Sequence, residues 1–384
     1  MEHLINQHVR GIEISGIRKF FNLVAQYEDV ISLTIGQPDF PTPTHVKTAG
    51  IQAIQDNQTS YTHNAGIPEL RKAAASFVEK KYGLNYNPDS EIIVSTGASQ
   101  GIDITFRTIL EPGTEVILPG PVYPGYEPII KLCGATPVYV DTRETDFLLN
   151  AELLEKHITE KTRCIVLPYP SNPTGATLSK DELHKVATLL EDKNIFVMSD
   201  EIYSELVFNG EHSSIATLPG MKKKTIVING VSKSHSMTGW RIGLVFGPEY
   251  LMKQMLKVHQ YNVSCATSIS QYAALEALTI GSNDAEPMKV QYQERMEYVY
   301  ERLVKLGLEV VKPNGAFYLF PSIKKYNLSS FDFALKMVEE AGVAVVPGSA
   351  FSPLGEGYVR ISYAYTMETL ELAMDRMEAF LETI

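Results

Sequence analysis

Seven short runs of apolar, largely β-branched residues, each followed by a turn and most then by a helical stretch, constrain this chain more than any other feature. They are EIIVS (Glu91 to Ser95), EVIL (Glu115 to Leu118), PVYV (Pro137 to Val140), CIVL (Cys164 to Leu167), IFVMS (Ile195 to Ser199), TIVIN (Thr225 to Asn229) and GLVFG (Gly243 to Gly247). Runs that are apolar on both faces suit strands covered by helices on both sides. Between them lie segments such as ASQGIDITFRTIL, where Ile102, Phe106, Ile109 and Leu110 recur at helical spacing. The alternation predicts an α/β fold whose large, three-layer domain carries a mostly parallel sheet of about seven strands. Too little chain joins the last two runs for a parallel crossover, which makes GLVFG a candidate antiparallel strand.

The final third has a different texture. MKVQYQERMEYVYERLVKLG reads as a long helix, GAFYLFPSI as a strand and FDFALKMVEEAG as a second helix, with VAVVPG and YVRISYA as further strands. The last helix carries Leu370, Ala373, Met374, Met377, Phe380 and Leu381 on one stripe, and Thr366 is its expected N-cap. This pattern predicts a smaller α+β domain. The expected limits are 46–280 for the large domain, and 1–45 with 281–384 for the small domain and an N-terminal arm.

Composition narrows the function classes. A formal net charge of −11 over 384 residues argues against nucleic-acid binding, which needs clustered Lys and Arg. Cys133, Cys164 and Cys265 lack metal-ligand spacing and are expected to be buried thiols in a reducing compartment. No HExxH or Cys/His set is present, so no metal is expected. No signal-peptide core or membrane-length apolar run occurs, so a cytoplasmic protein that does not engage membranes is expected.

In parallel α/β sheets, ligands gather outside the carboxyl ends of the strands. Five runs here end in loop or polar-site residues: TGASQG, PGPVYPGY, PYPSNPTG, DEIY and GVSK. TGASQG is either an anion site at a helix N-terminus or an ordinary strand-to-helix turn. Asp200, closing a strongly apolar run, needs a cationic or N–H partner if buried, or else caps a following helix. Tyr203 adds a phenol within reach of the same place. Asn172-Pro173-Thr174-Gly175 is a surface turn or a turn whose X–Pro geometry aims the Asn172 amide inward. Arg360, in YVRISYA, is an exposed strand arginine or a buried fork for a carboxylate. Lys233, directly after TIVIN, is either a solvated strand-end charge or a reactive amine. GxGxxG and GxxxxGK[ST] are absent, which leaves dinucleotide and P-loop readings without a motif.

Taken in order, GAS, PxYPxY, SNPTG, DEIY, SKSHSMTGWRIG and VRIS resemble the class I and II aminotransferases, from TIGQPDF to the last helix. The resemblance implies the fold type I architecture and pyridoxal 5′-phosphate as cofactor. It implies that Lys233 bonds covalently to the cofactor aldehyde and acts as base. Arg241 and Ser232, with the N–H groups of Ala98 and Ser99, are implied to hold the phosphate. Asp200 is implied to pair with the pyridine nitrogen, Tyr203 and Asn172 with the ring's 3′-oxygen, and Tyr123 to stack on the ring. Arg360, helped by Asn172 and the Gly36 backbone, is implied to hold the substrate α-carboxylate. Tyr61 is implied to reach the phosphate of a neighbouring subunit, hence a homodimer with shared active sites.

One departure stands out: many relatives carry Ser or Thr three residues before the lysine, and here that position is Gly230. Some aspartate-selective relatives also place a lysine where Ser99 stands. Stretches such as EISGIRKF, KVHQYNVSCA and GEGYVR bring the chain nearest to the branch that transaminates N-acetyl-LL-diaminopimelate, implying amino-acid and 2-oxo-acid substrates and lysine biosynthesis. Aspartate or aromatic transamination and C–S β-lyase chemistry are the alternatives within the same machinery. A non-catalytic binding protein on this fold is the alternative outside it.

Overall fold

The computed structural model describes residues 1–384. Strands are numbered in chain order, and the first, β1 (Ile31–Ser32), lies outside the main sheet. The seven apolar runs form β2 (Ile92–Ser95), β3 (Glu115–Gly120), β4 (Thr136–Asp141), β5 (Thr162–Leu167), β6 (Phe196–Asp200), β7 (Thr225–Gly230) and β8 (Gly243–Phe246). They make one sheet in the order β2-β8-β7-β6-β5-β3-β4. Only β8 opposes the others: it is antiparallel to β2 and β7, while every remaining pair is parallel.

Alternate residues of each strand enter opposite cores, because successive side chains point to opposite faces. Val94, Val227, Leu244 and Phe246 pack with Leu70, Phe77 and Ala273 on one face. Ile165, Leu167 and Val197 continue that face. Ile93, Val166, Met198, Ile228 and Val245 pack on the other with Ile102, Phe106 and Met255. Removing each such side chain from water contributes about 1.5–3 kcal/mol, so a slip in strand register would be costly throughout the sheet.

The C-terminal third folds as helices Ala285–Lys305, Ser330–Ala341 and Met367–Leu381 over strands β9 (Tyr318–Leu319), β10 (Val343–Ala344), β11 (Val346–Pro347) and β12 (Val359–Ser362). β11, β12 and β9 form an antiparallel sheet, whereas β10 pairs in parallel with β1 from the N-terminal segment. Their shared core includes Phe20, Leu33, Tyr318, Met337, Ile361 and Met377. The Thr366 side chain caps the last helix by accepting from the Thr369 N–H, and the expected stripe is buried.

Two strand expectations need correction. GAFYLFPSI contributes only the two-residue β9, because Ala316 adopts a left-handed φ of 58° that bends the chain just before it. VAVVPG is two strands, not one, since β10 pairs with β1 and β11 with β12. The thiol expectation also holds only in part: Cys164 is buried, but Cys133 and Cys265 are half-buried. No helix is long and apolar enough to cross a membrane.

Candidate active site

The carboxyl ends of the parallel strands face the C-terminal unit and the N-terminal segment across a cavity of about 690 Å³. Ala98, Ser99, Tyr123, Asn172, Asp200, Tyr203, Ser232, Lys233, Arg241, Gly36 and Arg360 all line it. Tyr61 does not; it is 88% exposed on the surface.

Close backbone approach shapes the wall around Arg241. Gly230 on β7 faces Gly243 on β8. A Cβ on Gly243 would stand 2.6 Å from the Ala98 nitrogen, so the missing side chain lets the start of helix Gly97–Ile109 abut the strand. A side chain on Gly97 would overlap the Arg241 guanidinium. Arg241 itself adopts φ 58° and donates through Nη1 to the Thr238 carbonyl at 2.9 Å. The Gly230 departure has a steric reason here, since a Cβ there would meet the Ile242 carbonyl oxygen at 2.9 Å.

Lys233 is not a solvated strand-end charge. Its Nζ donates to the Gly36 carbonyl at 2.6 Å. Burial pushes its pKa down to about 8, assisted by the cations Arg360 and Arg241 and opposed by Asp200. Asp200 is buried at the end of β6, and no helix follows for it to cap. The partner expected from the sequence was a cation or an N–H. In the structure, Tyr126 Oη donates to Oδ2 at 2.7 Å and the Ile202 N–H to Oδ1 at 3.3 Å. Burial raises Asp200 to about 6, while these two donors hold it lower than burial alone would. With a phenol and a long N–H bond as its donors, this carboxylate has acceptor capacity left for a further N–H.

Arg360 is almost fully buried, which removes the exposed-strand reading. Its Nη1 donates to Asn172 Oδ1 at 2.9 Å and its Nη2 to the Thr34 carbonyl at 2.6 Å, while Nε is buried without a partner. The guanidinium lies 4.4 Å from the Tyr318 ring centroid. A planar fork with unused donors suits a carboxylate. Asn172 is thus aimed inward, with a cis bond to Pro173, and the SNPTG turn is largely buried rather than on the surface. Tyr203 Oη shares a 2.8 Å hydrogen bond with Tyr318 Oη.

Several lining residues escaped sequence reasoning. Tyr126 is the second tyrosine of PVYPGY, so its signal was present in the motif. Tyr318 gave none, because its place depends on the cross-strand pair it forms with Ser362. Ser15, Ile17, Arg18 and Phe21 come from helix Gly16–Val24 and its N-cap, which follows none of the seven apolar runs. Asp200 is the lining's only carboxylate, facing the cations Lys233, Arg241, Arg360 and Arg18. In a chain of net charge −11, the cavity is therefore locally positive and suited to anions.

Residues 28–377 match the family model described as aminotransferase class I and II. The chain belongs to this family. It is 63% identical to the "Probable N-acetyl-LL-diaminopimelate aminotransferase" of Bacillus subtilis, over 99% of this chain and 96% of that relative. It is 44% identical to an aspartate aminotransferase of Pyrococcus abyssi, covering 96% and 95% of the two chains. The crystal structure of an aromatic aminotransferase from Pyrococcus horikoshii superposes with a TM-score of 0.90 at 43% identity, covering 96% and 99%.

This aminotransferase accordingly has the fold type I architecture, uses pyridoxal 5′-phosphate and acts on amino and 2-oxo acids. The residues present fit that cofactor. An anion fits the Arg241 and Ser232 corner beside the helix start, a ring N–H fits the underpaired Asp200, and an aldehyde fits the pKa-lowered amine of Lys233.

Proposed function

We propose that this aminotransferase moves an amino group from N-acetyl-LL-diaminopimelate to 2-oxoglutarate, giving L-2-acetamido-6-oxopimelate and glutamate in diaminopimelate and lysine biosynthesis. The observation that carries this reading is the full-length identity to the Bacillus subtilis relative bearing that name. Aspartate selectivity is less favoured, because Ser99 stands where some aspartate-selective relatives place a lysine.

In this reading Arg241 and Ser232, with the N–H groups of Ala98 and Ser99, hold the cofactor phosphate. Asp200 accepts from the ring nitrogen and keeps it protonated, while Tyr126 keeps Asp200 ionised. Tyr203 and Asn172 bond the ring's 3′-oxygen, and Tyr123 covers one ring face. Arg360 fixes the substrate α-carboxylate, which orients the Cα proton toward Lys233. When bound, the cofactor supplies an electron-accepting ring for the pair left on Cα. Lys233 takes the Cα proton and returns it at the carbon that bore the aldehyde. A pKa near 8 leaves roughly a tenth of such an amine neutral at pH 7, far more than an ordinary lysine provides.

The exposed Tyr61 fits a homodimer in which it reaches the partner's phosphate site. A cytoplasmic location and the division at 46–280 against 1–45 with 281–384 complete the proposal. The test is kcat/KM with glutamate as donor to L-2-acetamido-6-oxopimelate, oxaloacetate and phenylpyruvate. The first acceptor should be preferred, and a higher value for either of the others would remove the assignment while leaving the family intact.

A further inference from the structure

Three of the four cations lining the cavity have roles in the proposed function, on which this inference rests; Arg18 has none. It sits on helix Gly16–Val24, whose two sides face different surroundings. Phe20 and Val24 are buried in the C-terminal core, with Phe20 edge-on to Phe331 at 6.1 Å. Ile17, Arg18 and Phe21 line the cavity instead. Gly16 lets the first turn press against Ala350, because a Cβ at that position would stand 3.0 Å from the Ala350 Cβ. The helix is therefore anchored, and the position of the Arg18 backbone is set by packing.

The side chain has no carboxylate of its own. Glu13, a near neighbour in sequence, is taken by Lys19 at 2.6 Å, and the cavity's only acid, Asp200, is held by Tyr126. The Arg18 guanidinium lies 5.9 Å from the Phe21 ring centroid, a cation–π contact that inclines it without neutralising it. It remains an exposed, unpaired fork at the rim of a cavity whose interior already holds a separate carboxylate fork, Arg360.

We infer that Arg18 binds the far carboxylate of a dicarboxylic substrate and so sets the preference for dicarboxylic over monocarboxylic amino and 2-oxo acids. Position 99, a serine here, provides no cation for this purpose. Both halves of the proposed reaction need one, since 2-oxoglutarate and N-acetyl-LL-diaminopimelate each carry a second carboxylate at the end away from the reacting carbon. These two substrates differ in length. A long arginine side chain with no competing hydrogen bond can follow both, which a buried, fully bonded arginine cannot.

The test uses the holoenzyme and its Arg18→Gln and Arg18→Lys variants. Calorimetry gives Kd for glutarate and for pentanoate, two unreactive acids that differ in the far carboxylate. Steady-state rates with 2-oxoglutarate and 2-oxopentanoate give the same comparison under turnover. Arg18→Gln should weaken glutarate and raise KM for 2-oxoglutarate by about 10- to 100-fold, with kcat and both monocarboxylates within about twofold. Arg18→Lys should recover part of the loss. Equal changes for both acid classes, no change for either, or a native holoenzyme that binds glutarate no better than pentanoate would overturn the inference. A native enzyme that uses 2-oxoglutarate but rejects N-acetyl-LL-diaminopimelate would instead remove the proposed donor and leave the Arg18 result standing.

Discussion

The two halves of the cavity are built differently. The half that fits the cofactor is made of strand ends and the tight turns after them: Asp200 closes β6, Lys233 and Arg241 follow β7, and Ala98 and Ser99 open the helix after β2. Neighbouring strands share a hydrogen-bond ladder, so these groups hold their spacing through the backbone itself. The other half joins pieces distant in sequence. Thr34 and Gly36 follow β1, Tyr318 begins β9, Arg360 lies on β12 and Arg18 on an N-terminal helix. Backbone pairing holds β9 to β12 and β1 to β10 there as well, while side chains tie this half to the first, Arg360 to Asn172, Tyr318 to Tyr203 and Lys233 to the Gly36 carbonyl. In the proposed function, reaction chemistry belongs to the sheet edge and choice of substrate to the wall assembled from these distant segments.

Substitutions separate the two halves, and the largest effect belongs to the cofactor side. Lys233→Ala should lower kcat by about 10⁴-fold in single-turnover measurements with every amino donor alike. A donor-dependent loss would place Lys233 in substrate selection instead. On the substrate side, Arg360→Lys keeps the charge but loses the planar fork. KM for 2-oxoglutarate should rise about 100-fold, while the affinity for pyridoxal 5′-phosphate stays native.

Smaller effects sharpen the boundary. Tyr126→Phe removes a donor that holds the Asp200 pKa down, so the carboxyl should rise above about 6. In the proposed function the ionised form accepts from the ring nitrogen, so cofactor affinity should be lost at a higher pH as acidity increases. Near pH 6.5 the loss should be about 3- to 10-fold, read from visible absorption against pH. Superimposable profiles would deny Tyr126 this role. Gly230→Ser, which restores the hydroxyl many relatives carry, should cost about 1–3 kcal/mol of stability in denaturant unfolding, because its Cβ meets the Ile242 carbonyl. Native stability in that variant would remove the steric explanation for the glycine.

The same division governs what the sequence made legible. All seven strands of the main sheet could be read from apolar runs, and the reversed β8 from the short connection before it. Loop residues at strand ends carried the cofactor half, since each lies next in sequence to the run that positions it. Tyr126 was visible as a tyrosine in PVYPGY, but its bond to Asp200, 74 residues on, depends on how β3 and β6 sit in the sheet. The substrate half was harder to read. β9, β10 and β11 are two residues long and owe their existence to partners elsewhere, which periodicity cannot register. Arg18 gave no signal, because what distinguishes it is the absence of a partner, and that is a property of three-dimensional surroundings.

Covalent attachment is the claim on which the rest depends, and borohydride reduction of the holoenzyme followed by peptide mapping tests it directly. Visible absorption should disappear on reduction, and the reduced cofactor should be found on the peptide containing Lys233. A label on any other lysine, or absorption that survives reduction, would contradict the account.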